Sequence, residues 1–119
     1  MIGVLVVTHG SIGEALVSSA AQILGNPPQQ VATLSVWRQD DPDDLVLRAR
    51  ELLDGLDAGD GVLVLTDIFG ATPGNVVSRL LQDGKVEGVS GVSLPMLLRV
   101  LTSRDGALAA AVERARSGG

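Results

Sequence analysis

The 119-residue chain has no cysteine, no tyrosine and a single histidine, His9. Without cysteine there are no disulfides and no thiolate metal sites. One imidazole is too few for a histidine-built metal centre, so no metal and no cofactor are expected. Trp37 and Phe69 are the only aromatic residues. The core must therefore be Val, Leu, Ile and Ala, which suits helices packed closely on a sheet better than an aromatic-rich sandwich. Cations are scarce: 9 Lys and Arg stand against 14 Asp and Glu, a net charge of −5. That balance leaves no basic footprint for nucleic acid. No apolar run approaches the roughly 20 residues of a membrane-spanning helix. The opening MIGVLVV lacks a positive n-region and meets Thr8 and His9 too early for a signal peptide, so a cytoplasmic protein is expected.

What is present is 45% apolar sequence, at a length that fits one domain over residues 1–119. Ile2–Val7 is short, continuous and rich in β-branched residues, the pattern of a strand buried on both faces. Val31–Val36 is the next strand candidate, Gly61–Thr66 is again wholly apolar, and Val86–Val92 is the last candidate. Between the first two lies a helical spacing of Ile12, Ala15, Leu16, Ser19, Ala20, Ile23 and Leu24, stopped by Gly25-Asn26-Pro27-Pro28. Asp41-Pro42 opens a second helix as cap and first helical residue, with Leu45, Ala49, Leu52, Leu53 and Leu56 on one face. Thr72-Pro73 repeats that start, with Val76, Val77, Leu80 and Leu81 expected to face inward. Helices around Leu94–Thr102 and Ala107–Arg116 complete the chain.

Strands separated by helices pair in parallel through right-handed crossovers. The expected fold is a doubly wound α/β domain: a four-stranded parallel sheet of order 2-1-3-4 with helices on both faces. That order opens a crevice at the carboxyl ends of strands 1 and 3.

His9 is expected just past strand 1 and Asp67 just past strand 3. Neighbouring strands are about 5 Å apart, so the one imidazole and a carboxylate meet at the crevice. Two helix starts, after His9-Gly10-Ser11 and after Gly70-Ala71-Thr72, aim backbone N–H groups and positive dipole ends at the same space. Glycines allow close approach there, and the Ser11 and Thr72 hydroxyls add donors. No serine or cysteine nucleophile accompanies the pair, but imidazole is itself a nucleophile. A carboxylate on one ring nitrogen fixes the tautomer and leaves the other nitrogen free. The constellation implies a phosphohistidine site, with the nitrogen facing away from Asp67 favoured. Asp40, Asp41, Asp43 and Asp44 read as a solvated first helical turn rather than a metal site. Trp37, ending strand 2 on the same side, is either a core edge or part of a partner surface.

The stretches GVLVVTHGSIGEAL, GVLVLTDIFGATPGNVVSRLL and GVSGVSLPML resemble the enzyme IIA component of the mannose family of the bacterial phosphoenolpyruvate-dependent sugar phosphotransferase system (PTS). The resemblance runs from about Ile2 to Ser103. It implies that His9 is the phosphorylated residue, that Asp67 orients it, and that Gly70, Ala71 and Thr72 receive the phosphoryl group. It also implies a phospho-HPr donor, a IIB acceptor, and a homodimer peripheral to a membrane permease at most. Family members usually carry Gly-Gly-Ser where this chain has Gly70-Ala71-Thr72, and many have Asn at the position of Ser93. A C-terminal strand commonly exchanged between family subunits is not expected here, since no strand pattern follows the last helix. Two alternatives remain: a regulatory module whose phosphorylation alters a partner, and a small tetrapyrrole metal chelatase, which the HGS opening also resembles.

Overall fold

The chain from Gly3 to His9 is buried at every residue but the last, as only an interior strand of a helix-covered sheet allows. This is β1. A computed structural model describing residues 1–117 places it between β2 (Val31–Val36) and β3 (Val62–Thr66), with β4 (Val86–Ser90) beyond β3. All pairings are parallel and the order is β2-β1-β3-β4, as expected. Gly118 and Gly119 lie outside the described residues, and the expectation that no exchanged strand follows the last helix falls on them.

Helices α1 (Ile12–Leu24), α4 (Leu94–Leu101) and α5 (Leu108–Arg116) cover one face, and α2 (Pro42–Leu56) and α3 (Thr72–Ser78) the other. The alternation of side chains along a strand divides the core between them. Leu5, Val7, Val62 and Val64 pack with Leu45, Ala49, Leu53 and Val76. Val4, Val6, Leu63 and Leu65 pack with Ala20, Met96, Leu97 and Ala111. Burying each such Val or Leu contributes about 1.5–3 kcal/mol. Asp41 caps α2 as expected, its Oδ1 accepting the Asp43 N–H at 2.9 Å, with Pro42 opening the helix.

Several local expectations need correction. β1 runs through His9, because pairing with β2 continues to His9 opposite Val36. β4 stops at Ser90, because Gly91 turns in the left-handed region and Val92 N–H donates back to Thr66 O at 3.0 Å. On α1 the inward stripe is Gly13, Leu16, Val17 and Ala20, so Ile12, Ala15, Ser19, Ile23 and Leu24 face solvent. A Cβ at Gly13 would stand 3.1 Å from both Thr8 Oγ1 and Val6 Cγ1, so the smallest residue marks the closest approach of helix and sheet. Thr72 is not the cap of α3. Ala71 holds that position and Thr72 is already helical. α3 gives way to a turn at Arg79, so its periodicity does not reach Leu81, which is exposed.

The amino end of the sheet is fastened by a residue that no periodicity revealed. The buried Arg104 guanidinium donates from Nε to Ile2 O at 2.9 Å, from Nη2 to Gln30 O at 2.9 Å, and from Nη1 to Gln29 O. It ties the α4–α5 connection to the starts of β1 and β2. Burial lowers its pKa from the ordinary value.

Candidate functional site

The site forms at the carboxyl ends of β1 and β3. Val7 pairs with Thr66 in the sheet, so the residues beyond them, His9 and Asp67, emerge side by side. Asp67 Oδ2 accepts the backbone N–H of His9 at 3.0 Å and lies 2.9 Å from His9 Nδ1. Its Oδ1 accepts the Ile68 N–H at 3.0 Å. One carboxylate thus holds the strand end, the imidazole and its own loop. The His9 side chain is 47% exposed and that of Asp67 only 12%, so the ring reaches solvent while its anchor does not.

Burial alone would raise the Asp67 carboxyl. The His9 N–H, the His9 ring and the Ile68 N–H outweigh it and hold the group below its ordinary value of 3.8. Asp67 is therefore ionised at neutral pH and can only accept hydrogen bonds. Nδ1 must be the donor, and in the neutral ring Nε2 carries the free lone pair. The tautomer is set by hydrogen bonding at a single carboxylate.

Gly10 continues the pairing past His9, its N–H donating to Val36 O at 2.9 Å. Its φ of +51° lies in the left-handed region, and a Cβ there would meet the Trp37 ring at 3.2 Å. Both conditions favour glycine, since a side chain here would be strained and would have to displace the Trp37 ring. Trp37 therefore packs over the His9–Gly10 turn, half exposed, and is no buried core residue.

A cavity of about 340 Å³ opens here, walled by His9, Val36, Trp37, Arg38, Asp40 and Thr72. Of the residues expected at the site, the structure joins His9, Asp67, Gly10 and Trp37 by direct contact, and Thr72 through this cavity. Ser11 stands at the cap position of α1 but makes no side-chain cap bond. The buried Thr8 takes over, its Oγ1 accepting the Gly13 N–H at 2.8 Å. Ser11, Gly70 and Ala71 adjoin the site without forming the cavity's walls. Among the described residues no group of three or more His, Cys, Asp or Glu is arranged to hold a metal ion.

Four neighbours escaped the sequence. Arg38 and Asp40 wall the cavity, and Ile68 and Phe69 project into solvent directly after Asp67. Large apolar residues in a loop were the available signal for the last two. Arg38 gave none, being one cation in a turn.

Proteins of known family share this sequence pattern and fold. The family model EIIA-man, PTS system fructose IIA component, matches residues 3–115. The chain is 32% identical over 124 residues to the PTS system mannose-specific EIIAB component of Escherichia coli K12, covering 98% of this chain and 38% of that one. It thus spans about two-fifths of the length of that relative. It is 31% identical to the PTS system fructose-specific EIIA component of Bacillus subtilis, covering 88% of this chain and 72% of that one. The crystal structure of phosphotransferase system component EIIA from Streptococcus agalactiae superposes with a TM-score of 0.85 at 28% identity, over 97% of this chain and 89% of that one. A family match over residues 3–115, with relatives at 32% and 31% identity and the same fold in solved structures, makes this chain a member of the EIIA-man family, the PTS system fructose IIA components.

Proposed function

We propose that this chain is a phosphocarrier of a sugar phosphotransferase system. His9 takes a phosphoryl group from phospho-HPr and passes it to a IIB protein or a regulatory target. The observation that carries this reading is the 2.9 Å pairing of His9 Nδ1 with Asp67, which leaves Nε2 free at an open cavity. Nε2 attacks phosphorus as the bond from phosphorus to the donor imidazole breaks. The His9 ring gains positive charge, which the Asp67 carboxylate offsets, and no proton has to move. The work is positioning and charge stabilisation. Thr72 and the first turn of α3, with Gly70 and Ala71 before it, offer the phosphoryl oxygens donors, the Ser11 hydroxyl does so from the other side, and Gly10, whose N–H is held by Val36 O, leaves room for close approach. Exposed Trp37 walls the site and exposed Ile68 follows Asp67 in the chain, and these two supply apolar surface on which protein partners dock. The proposal includes a cytoplasmic location and a homodimer.

The test is incubation with phosphoenolpyruvate, enzyme I and HPr, read by intact-mass spectrometry. An acid-labile phosphoryl gain that is lost in His9→Ala is expected. No gain with partners that phosphorylate a control IIA protein overturns the reading.

A further inference from the structure

We propose that Arg38 binds the phosphoryl group carried by His9, as a cation supplied from the β2–α2 turn. This rests on the phosphocarrier reading and adds a residue to it. Arg38 is the only cation among the described walls of the His9 cavity. Among the described residues its guanidinium has no ion-pair or hydrogen-bond partner, whereas Arg79 pairs with Asp43 and Arg104 donates to three carbonyls.

Its backbone is nonetheless held firmly. Residues 37–40 form a turn closed twice: Asp40 N–H donates to Trp37 O at 3.0 Å, and Trp37 N–H donates to Asp40 Oδ2 at 2.8 Å. Trp37 in turn packs on Gly10, beside His9. Arg38 thus extends from a fixed turn that touches the turn bearing the nucleophile. Asp40, the carboxylate in the same cavity, already serves that turn through Oδ2.

Charge explains what the guanidinium would do. A phosphoryl group on Nε2 brings negative charge into a cavity walled by Asp40 and backed by Asp67. The Thr72 hydroxyl is the only neutral side-chain donor among the walls besides the Trp37 indole. A guanidinium offers paired N–H donors that match two phosphoryl oxygens. It is absent from the ground-state pairing of His9 with Asp67, so its contact is made only once phosphorus approaches Nε2. The bond from phosphorus to the donor breaks, the bond to Nε2 forms, and Arg38 keeps its protons throughout.

The test compares the wild-type protein with Arg38→Gln and Arg38→Lys, using two donors: phosphorylated HPr and the small P–N donor phosphoramidate. Arg38 is exposed, so both variants should fold, and circular dichroism checks this. Arg38→Gln should slow phosphorylation by both donors about 10- to 100-fold, with partial recovery in Arg38→Lys. Phosphoramidate rates within about two-fold of wild type overturn the proposal. A loss confined to the protein donor also overturns it, since Arg38 would then act in docking. If wild-type His9 takes phosphate from neither donor, the phosphocarrier reading fails first and this one falls with it.

Discussion

Replacing Asp67 by Asn removes the charge while keeping the shape, and the hydrogen bonds at this position dictate the consequence. The carboxylate accepts three of them, two on Oδ2 from His9 and one on Oδ1 from Ile68. An amide cannot accept all three. If its oxygen faces His9, its NH₂ meets the Ile68 N–H. If its NH₂ faces His9, Nδ1 must become the acceptor, and the proton moves to Nε2, where the lone pair is needed. The charge term can be bounded separately. In transfer the ring becomes cationic with its charge centred about 4 Å from the carboxylate, a stabilisation of about 1–4 kcal/mol between water-like and surface-like dielectric. Rapid-quench transfer from phosphorylated HPr should therefore be about 5- to 1,000-fold slower in Asp67→Asn. Nitrogen-15 chemical shifts distinguish the two orientations, since only the second moves the proton to Nε2. A variant that transfers at the wild-type rate with Nδ1 still protonated would refute the orienting role of Asp67.

Other parts of the molecule carry three further expectations. Arg104→Ala removes a buried cation that donates to three backbone carbonyls at the amino end of the sheet, of which Gln30 O keeps the Val4 N–H, and should lower stability by about 2–4 kcal/mol in urea unfolding, with a loss under about 1 kcal/mol arguing against the clamp. Thr66 Oγ1 is buried without a hydrogen-bond partner among the described residues, so Thr66→Val should raise stability by about 1–2 kcal/mol, and a loss of stability would mean that the hydroxyl is satisfied. Both Asp67 and Asp57 are held below their ordinary value of 3.8, Asp57 chiefly by the Gly59 and Gly61 N–H groups. Depressed carboxylates stabilise the fold above their unfolded-state value and lose that contribution as pH falls through the folded one. The urea midpoint should therefore drop from about pH 5 to pH 3 less steeply in Asp57→Asn/Asp67→Asn than in wild type, and equal slopes would contradict the assignment.

The alternation of elements and the sheet order were legible because buried parallel strands are apolar throughout, and Val4 to Val7 and Val62 to Leu65 are. The meeting of His9 and Asp67 was legible because that order makes their strands neighbours. Other features depend on three-dimensional detail that spacing does not carry. The buried face of α1 turns on Gly13 and Ala20, whose small size is what the close approach requires, so a count of large apolar residues picks the wrong stripe. Arg104 acts on backbone carbonyls 74 to 102 residues away, and carbonyls have no sequence signature. Thr72 looked like a cap, yet the chain is already helical there. Trp37 was legible as the end of strand 2 on the site's side, but Arg38 joined the site because the turn after β2 folds back over Gly10, which only the assembled sheet shows.

Phosphorus–nitrogen coupling in nitrogen-15-labelled, phosphorylated protein tests the central claim most directly. Coupling of phosphorus to His9 Nε2, with the proton retained on Nδ1 toward Asp67, is the predicted result. Coupling to Nδ1, or a stable phosphoryl group anywhere but His9, would contradict it.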